Sequence, residues 1–162
     1  MPELPEIETI CQALKANILN KVIIKTNRLT EFNLRKAIPK DISQKLSNRK
    51  IIDITRRAKY IQISLDNSLI LLIHLGMSGK FLIKDKDYSY QKHDHLSLIL
   101  DDEQKLIYND PRRFGLIEIL DSNQLENSPF LKHLGIEPFS VEFTSQYLGK
   151  ILSNKKQPIK LT

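Results

Sequence analysis

The sequence predicts an α+β fold: an antiparallel two-sheet β-sandwich packed against an N-terminal α-helix, with short helices at the C-terminal end. Three observations lead to this prediction. Apolar residues recur at helical spacing near the N-terminus, short apolar runs separated by turn residues fill residues 21–120, and helical spacing returns after residue 121. Short strands at regular intervals with turn residues between them are typical of antiparallel sandwiches.

The first element is an amphipathic helix over residues 5–16. Its apolar residues recur at helical spacing, namely Ile7, Ile10, Cys11 and Leu14. Pro5 fits the first turn of a helix, where its missing N–H is not needed. Acidic residues at positions 3, 6 and 8 favour the positive end of the helix dipole, so the helix begins close to the N-terminus.

The strands and the later helices follow from the spacing of turn residues. A short helix capped by Asp41 is predicted over residues 41–46. The predicted strands cover residues 21–28, 51–56, 60–65, 69–74, 80–84, 95–100, 106–108 and 116–120. Further helices are predicted at 122–133 and 144–152, on either side of a Gly-Ile-Glu-Pro break. The pattern divides the chain into a sandwich domain, residues 1–134, and a second segment, residues 135–162.

Composition limits the classes of function. The 162 residues carry a formal charge of +6, which indicates an anionic partner, first nucleic acid and second a membrane surface. Cys11 is the only cysteine, which excludes an internal disulfide and a Cys-based zinc site. The longest apolar run, residues 69–73, is too short to span a bilayer, and the acidic, Pro-rich N-terminus does not fit a signal peptide. We therefore expect a cytoplasmic monomer with no membrane partner.

The N-terminal stretch offers a nucleophile. If Met1 is removed, Pro2 carries a free secondary amine, and an N-terminal amine has a reference pKa of roughly 8, so part of it is unprotonated near neutrality. Such an amine can attack an aldehyde-like carbon and form a Schiff base. Glu3 and Glu6 lie beside it in the sequence. The structural alternative is that these residues only begin a helix.

Three further segments suit nucleic acid, and each has a structural alternative. In the run 56–59, an extended chain places Arg57 and Lys59 on the same side. They either contact phosphates together or are surface charges that protect the edge of a sheet. The turns 74–79 and 110–115 present Met77 and Phe114, either as a wedge in DNA or as packed side chains. The His-Asp-His run at 93–95 resembles a metal site but lacks further ligands at a suitable spacing, so we expect no metal.

Taken together, these segments resemble the N-terminal half of formamidopyrimidine-DNA glycosylase, the bacterial enzyme that removes oxidised purines such as 8-oxoguanine and ring-opened purines. The motifs MPELPEIET, RRAKY, IHLGMSG, KHDH and NDPRRFG occur in the order found in that family, and HLGIEP and KKQPIK continue the match. The resemblance covers essentially the whole chain. It implies a bifunctional glycosylase and AP lyase of base excision repair, in the bacterial cytoplasm at the nucleoid, acting on double-stranded DNA that contains oxidised purines or abasic sites.

The resemblance also implies roles for individual residues. Pro2 is similar to the nucleophile that attacks C1′, Glu3 to the general acid and base, and Glu6 to a supporting carboxylate. Lys59 is similar to the lysine that contacts phosphate beside the lesion and takes part in proton transfer. Met77, Arg112 and Phe114 resemble the residues that fill the gap left by the everted nucleotide. The DNA-contacting set implied by the resemblance is His74, Met77, His93, Arg112, Phe114, Lys155 and Lys160.

The family continues past the point where this sequence stops, into a helical DNA-clamping domain and a zinc finger with four cysteines. The resemblance thus implies a truncated enzyme, with no cofactor in this chain and one structural zinc in the region it lacks. Residues 135–162 then correspond to a linker and the start of the helical domain. Two alternatives stay open: an inactive or vestigial DNA-binding fragment, and a tautomerase-like enzyme that uses Pro2 as a base. The helical start at Pro5 disfavours the second, because tautomerase chains begin with a strand.

Overall fold

The structure, a computed structural model, describes residues 2–153 and 155–156. The chain divides into two compact units between Lys132 and His133. The elements, in chain order, are α1 (Leu4–Ile18), β1 (Val22–Arg28), α2 (Ile42–Leu46), β2 (Arg49–Arg57), β3 (Tyr60–Leu65), β4 (Leu69–His74), β5 (Lys80–Lys84), β6 (Asp94–Leu100), β7 (Lys105–Asn109), β8 (Leu116–Asp121) and α3 (Ser145–Leu152). The predicted α+β class and all eight predicted strands are confirmed, whereas the division into domains at residue 134 stays a prediction.

All neighbouring strands pair antiparallel, in the order β5-β7-β6-β1-β2-β3-β4-β8. The two halves of this order meet through a short β1–β2 ladder, in which Val22 pairs with Lys50 and Ile23 with Arg49. The two predicted sheets are therefore joined by hydrogen bonds at one corner. Side chains from both halves, such as Leu98 on β6 and Ile63 on β3, belong to one buried cluster. This shared core fixes both halves relative to α1.

Helix α1 begins with a capping box. The Glu3 side chain accepts a hydrogen bond from the backbone N–H of Glu6, and the Glu6 side chain accepts one from the backbone N–H of Glu3. The buried face of the helix consists of Ile7, Cys11, Leu14 and Ile18. Burial raises the pKa of the Cys11 thiol to about 11, so this cysteine is a core residue and not a nucleophile. None of the described helices is long and apolar enough to cross a membrane.

The predicted helix at 122–133 is wrong. Only one 3₁₀ turn forms, at Ser122–Gln124, and hydrogen-bonded turns follow it. The Asp121 side chain accepts a bond from the backbone of Asn123, which favours a turn over a helix. Pro129 lacks an N–H and disfavours helical backbone at Ser128, so an α-helix cannot pass through this stretch.

The hairpin between β2 and β3 turns through only two residues, Ala58 and Lys59, because Arg57 pairs with Tyr60. Ala58 has φ 48°, in the left-handed region. A residue with a Cβ is strained there by about 1–2 kcal/mol. The strained turn presents Lys59 at the tip of the hairpin.

Two turns, residues 75–79 after β4 and residues 110–115 after β7, approach each other with almost no space between their backbones. Gly76 has φ 62°, and a Cβ on it would lie 2.4 Å from the carbonyl carbon of Phe114. A Cβ on Gly115 would lie 1.7 Å from the hydroxyl oxygen of Tyr108, a fully buried side chain on β7. Glycine is therefore required for steric reasons at both places.

The second unit, from His133 onward, contains α3, as predicted. Its first turn is capped by Thr144, whose side chain accepts a hydrogen bond from the backbone N–H of Tyr147. The rings of Phe143 and Tyr147 pack 5.8 Å apart.

The contact between Gly115 and Tyr108 gives a test of this packing. Gly115→Ala should lower the free energy of unfolding by about 3 kcal/mol, because the added methyl overlaps the Tyr108 hydroxyl. Urea denaturation measures this loss. Adding Tyr108→Phe should recover part of it, since the overlapping oxygen is removed. The control is Gly149→Ala in α3, where a Cβ meets nothing within 4 Å; an equal loss in that variant would contradict the steric explanation.

Candidate active site

The structure brings Glu3 and Lys59 together. The Lys59 Nζ lies 2.6 Å from Oε2 of Glu3, at the start of α1. The hydrogen bond that Lys59 donates holds the pKa of the Glu3 carboxyl below its ordinary value. Glu3 is therefore a carboxylate at neutral pH, and it faces solvent beside the Pro2 backbone. The strained hairpin tip thus supplies the cation of this ion pair, and the start of the helix supplies the carboxylate.

Glu6 holds the peptide group that follows Pro2. Its Oε2 accepts a hydrogen bond of 3.0 Å from the backbone N–H of Glu3. That N–H belongs to the Pro2–Glu3 peptide, so the bond restricts the orientation of Pro2. The predicted supporting carboxylate is therefore in contact with the N-terminal backbone through a capping interaction, and its role in a site stays a prediction.

His74, at the end of β4, contacts both the β2–β3 hairpin and the turn 75–79. Its ring lies 5.0 Å from that of Tyr60, the residue after Lys59. Its Nδ1 accepts a hydrogen bond of 3.0 Å from the backbone N–H of Gly76. Burial, and then the nearby charges of Arg35 and Lys59, lower the pKa of His74 to about 4. The imidazole is uncharged at neutral pH, and its hydrogen is on Nε2, which can donate to a phosphate oxygen.

Met77 and Phe114 extend from the two packed turns. Both residues are 46% exposed. The guanidinium carbon of Arg112 lies 5.0 Å from the centre of the Phe114 ring, a cation–π contact. The predicted wedge residues therefore lie on two turns that touch, with a cation stacked on the aromatic member.

Asp110 holds these two turns together, a role that the sequence analysis did not assign. Its carboxylate is fully buried. One oxygen accepts hydrogen bonds from the Ser78 hydroxyl and the Arg112 backbone, and the other accepts them from the Gly115 backbone and the Tyr108 hydroxyl. The only signal in the sequence was the turn motif itself, because these partners come from two separate turns and a strand.

The three residues of the His-Asp-His run, 93–95, lie in different environments. Asp94 is buried and accepts hydrogen bonds from Asn109, Tyr88 and the Gln91 backbone. His95 is buried with its Nε2 2.8 Å from the Asp110 carbonyl oxygen. His93 is half-buried at the rim of a pocket. Within the described part of the chain, no three His, Cys, Asp or Glu side chains form a group that could hold a metal ion.

The remaining predicted DNA contacts lie near the C-terminus. Lys155 is exposed in the second unit. Lys160 lies outside the described residues. Sequence analysis also missed the contact of Arg113 with Phe32, in which the guanidinium carbon is 5.0 Å from the ring centre. No sequence signal links these two residues, because they come from separate loops.

Comparison with known proteins gives concordant matches. The family model for the formamidopyrimidine-DNA glycosylase N-terminal domain matches residues 1–117. The formamidopyrimidine-DNA glycosylases of Wolbachia pipientis subsp. Culex pipiens (strain wPip) and Rickettsia bellii (strain OSU 85-389) are 45% and 42% identical over 160 residues. These matches cover 99% of this chain but 58% of each relative.

A solved structure agrees with these relatives. The crystal structure of the Lactococcus lactis Fpg with DNA containing an abasic site matches with a TM-score of 0.87 and 30% identity. The match covers 99% of this chain and 59% of that one. Because the family model spans most of the chain and the fold agrees, the chain belongs to the formamidopyrimidine-DNA glycosylase family, whose N-terminal domain it matches.

Proposed function

We propose that this chain is the catalytic portion of a DNA repair glycosylase and AP lyase, which acts in the bacterial cytoplasm on double-stranded DNA containing oxidised purines or abasic sites. The observation that carries the proposal is the Glu3–Lys59 ion pair, at 2.6 Å, beside Pro2. It gives a potential N-terminal nucleophile a carboxylate and a cation at the same place. The chain spans about 58% of the length of its curated relatives, and the proposal concerns the chemistry that this part can perform.

The chemistry begins at the amine of Pro2 after removal of Met1. The amine attacks C1′ of the damaged nucleotide, and the base leaves with the electron pair of its glycosidic bond. Glu3 takes the proton from the resulting ammonium and passes it to O4′, so that the C1′–O4′ bond breaks and the sugar ring opens to an iminium ion. The Glu3 carboxylate stabilises this positive charge. The iminium makes a C2′ proton acidic, so its removal expels the 3′ phosphate, and a second elimination expels the 5′ phosphate. Lys59, at the hairpin tip, contacts the phosphate beside the lesion and takes part in the proton transfers.

The two packed turns supply the DNA-binding part. Everting a nucleotide from the stack costs a few kcal/mol, and apolar or aromatic side chains inserted in its place offset part of that cost. Met77 and Phe114 have the exposure that such insertion needs, and Arg112 adds a cation beside the ring. His74, His93, Lys155 and Lys160 complete the proposed contacts with the DNA backbone. The positive charge of the chain supplies salt-sensitive affinity for phosphates.

The second candidate function is a DNA-binding module without catalysis. The exposed wedge and the cationic turns favour it as much as they favour an enzyme, because neither depends on Pro2. Salt-sensitive duplex binding without covalent chemistry would identify such a module.

The Schiff base gives the first test of the enzymatic proposal. Sodium borohydride should trap a covalent complex between the chain and abasic-site DNA, and mass spectrometry of the tryptic peptides should place the adduct on Pro2. A chain with an extra residue that blocks the Pro2 nitrogen should give no complex, because the amine is then a peptide nitrogen. The matched control is Pro5→Ala, which alters the neighbouring proline and should trap normally. Absence of any complex with the processed chain would refute the lyase proposal.

The ion pair gives a second test, through pH. Lys59→Gln removes the bond that lowers the pKa of Glu3, so this pKa should rise toward its ordinary value. The acid limb of the pH profile for cleavage of abasic DNA should then move to higher pH, because Glu3 becomes protonated earlier as pH falls. The rate itself should drop by about 10²-fold. Single-turnover assays from acidic to neutral pH measure both effects.

The control for this test is Lys15→Gln, which breaks another lysine–carboxylate pair on α1, 2.8 Å from Asp53. That variant should keep both the rate and the position of the acid limb. If Lys59→Gln leaves the acid limb unmoved, Glu3 is not the group that titrates.

A further inference from the structure

A second group of aromatic and cationic side chains surrounds a pocket of about 250 Å³ in the first unit. Its lining includes Phe32, Lys92, His93, His95 and Arg113. None of the described residues that line it is acidic. An aromatic wall combined with cations is the composition that binds a nucleotide, since the base stacks and the phosphate pairs with charge.

Phe32 is the aromatic wall, and it is held in an exposed position. Its side chain is 68% exposed, yet the guanidinium carbon of Arg113 lies 5.0 Å from its ring centre. Its backbone N–H donates to the Thr30 hydroxyl. Three residues further along, the backbone N–H of Arg35 donates to the Gly115 carbonyl oxygen. The loop is therefore shaped by one local bond and held to the turn 110–115 by one backbone bond, while the ring stays accessible, which is the arrangement expected of a stacking platform.

Arg113 is directed by its backbone. It has φ 57°, a left-handed conformation that is strained for a residue with a Cβ. Its N–H donates to the Asp110 carbonyl oxygen at 3.3 Å, which helps to hold this conformation. Two consecutive arginines of one turn therefore stack on different rings, Arg112 on Phe114 and Arg113 on Phe32.

His95 lines the pocket and is itself almost completely buried. It is the extra residue in a β-bulge, because Asp94 pairs with Asn109 and Leu96 with Tyr108. Bulges of this kind redirect a side chain next to functional sites. Its Nδ1 is buried and has no hydrogen-bond partner among the described residues. Because a carbonyl oxygen can only accept, Nε2 donates to Asp110, and this bond fixes the orientation of the ring.

From these observations we propose that this pocket binds one nucleotide of the DNA strand that flanks the wedge. Phe32 stacks on the base, and Arg113 and Lys92 contact the phosphate. The proposal rests on the proposed function, since it assigns a further DNA contact to the same surface. It makes Phe32 and Arg113 binding residues in addition to the wedge formed by Met77, Arg112 and Phe114.

The test uses the full chain and a duplex that carries a tetrahydrofuran abasic analogue. Phe32→Leu should raise the Kd about 5- to 30-fold without changing the salt dependence, because a stacking contact is lost and no charge. Phe32→Tyr should bind like the unaltered chain.

Arg113→Gln should raise the Kd and reduce the slope of log K against log salt by about one, because one phosphate contact is lost. Controls are Phe139→Leu and Arg49→Gln, which change an exposed phenylalanine and an exposed arginine elsewhere.

A fluorescent base separates stacking from indirect effects. With 2-aminopurine placed in turn at each position flanking the abasic analogue, one position should lose fluorescence on binding, and Phe32→Leu should restore it. If Phe32 only supports Arg113, no position will respond to Phe32→Leu, and that substitution will add nothing in the Arg113→Gln background. Either of those results would overturn the stacking assignment.

The remaining outcomes distinguish this proposal from the proposed function. Normal borohydride trapping by the unaltered chain, with unchanged Kd in Phe32→Leu and Arg113→Gln, would overturn the pocket and leave the enzyme. Failure of the unaltered chain to bind duplex would overturn both. Deoxyguanosine monophosphate that binds as tightly as the duplex would identify a site for free nucleotides and overturn the assignment to a DNA strand. Thermal melting of each variant confirms that folding is intact.

Discussion

The buried carboxylate of Asp110 makes the hydrogen bonds on which the proposed DNA-binding surface depends. Removing a charge from water is costly, and the cost is bearable only when the oxygens are fully hydrogen-bonded. Here the donors come from the turns 75–79 and 110–115 and from β7. Hydrogen bonds to one carboxylate therefore fix Ser78, Arg112 and Gly115 relative to one another. The carbonyl oxygen of the same residue binds His95. The wedge and the nucleotide pocket are therefore two sides of a single hydrogen-bonded centre.

From that centre, a continuous series of contacts leads to the N-terminus. Gly76 lies against the backbone of Phe114 and donates to His74, whose ring packs on Tyr60. Tyr60 follows Lys59, which pairs with Glu3 at the start of α1. The steps are a backbone packing contact, a hydrogen bond, a ring contact, a peptide bond and an ion pair. The proposed nucleophile and the proposed wedge are thus positioned by the same strands, β3 and β4, so that base eversion and attack on C1′ would occur on one rigid surface.

Much of this was predictable from sequence, and the failures have physical causes. The strands and α1 were found because apolar periodicity and turn residues are local signals, and the Glu3–Glu6 pair indicated a helix start. The helix at 122–133 was wrong because Pro129 and the Asp121 turn override apolar spacing. The Phe32–Arg113 contact and the role of Asp110 join residues from separate loops, and their pairing depends on register and on a bulge at His95. Such features leave no periodic pattern.

Left-handed backbone occurs both in hairpin turns of the scaffold and beside the proposed site. Six described residues other than glycine have positive φ, and two of them, Asn20 and Asn48, are asparagines, which tolerate this region. Ser68 and Glu103 lie in the hairpin turns after β3 and β6, away from the proposed site. Ala58 and Arg113 each lie next to a residue proposed to act on DNA, Lys59 in one case and Arg112 in the other. Since strain of about 1–2 kcal/mol at each position persists only where surrounding contacts impose it, the fold maintains these two conformations for the direction they give to the neighbouring cations.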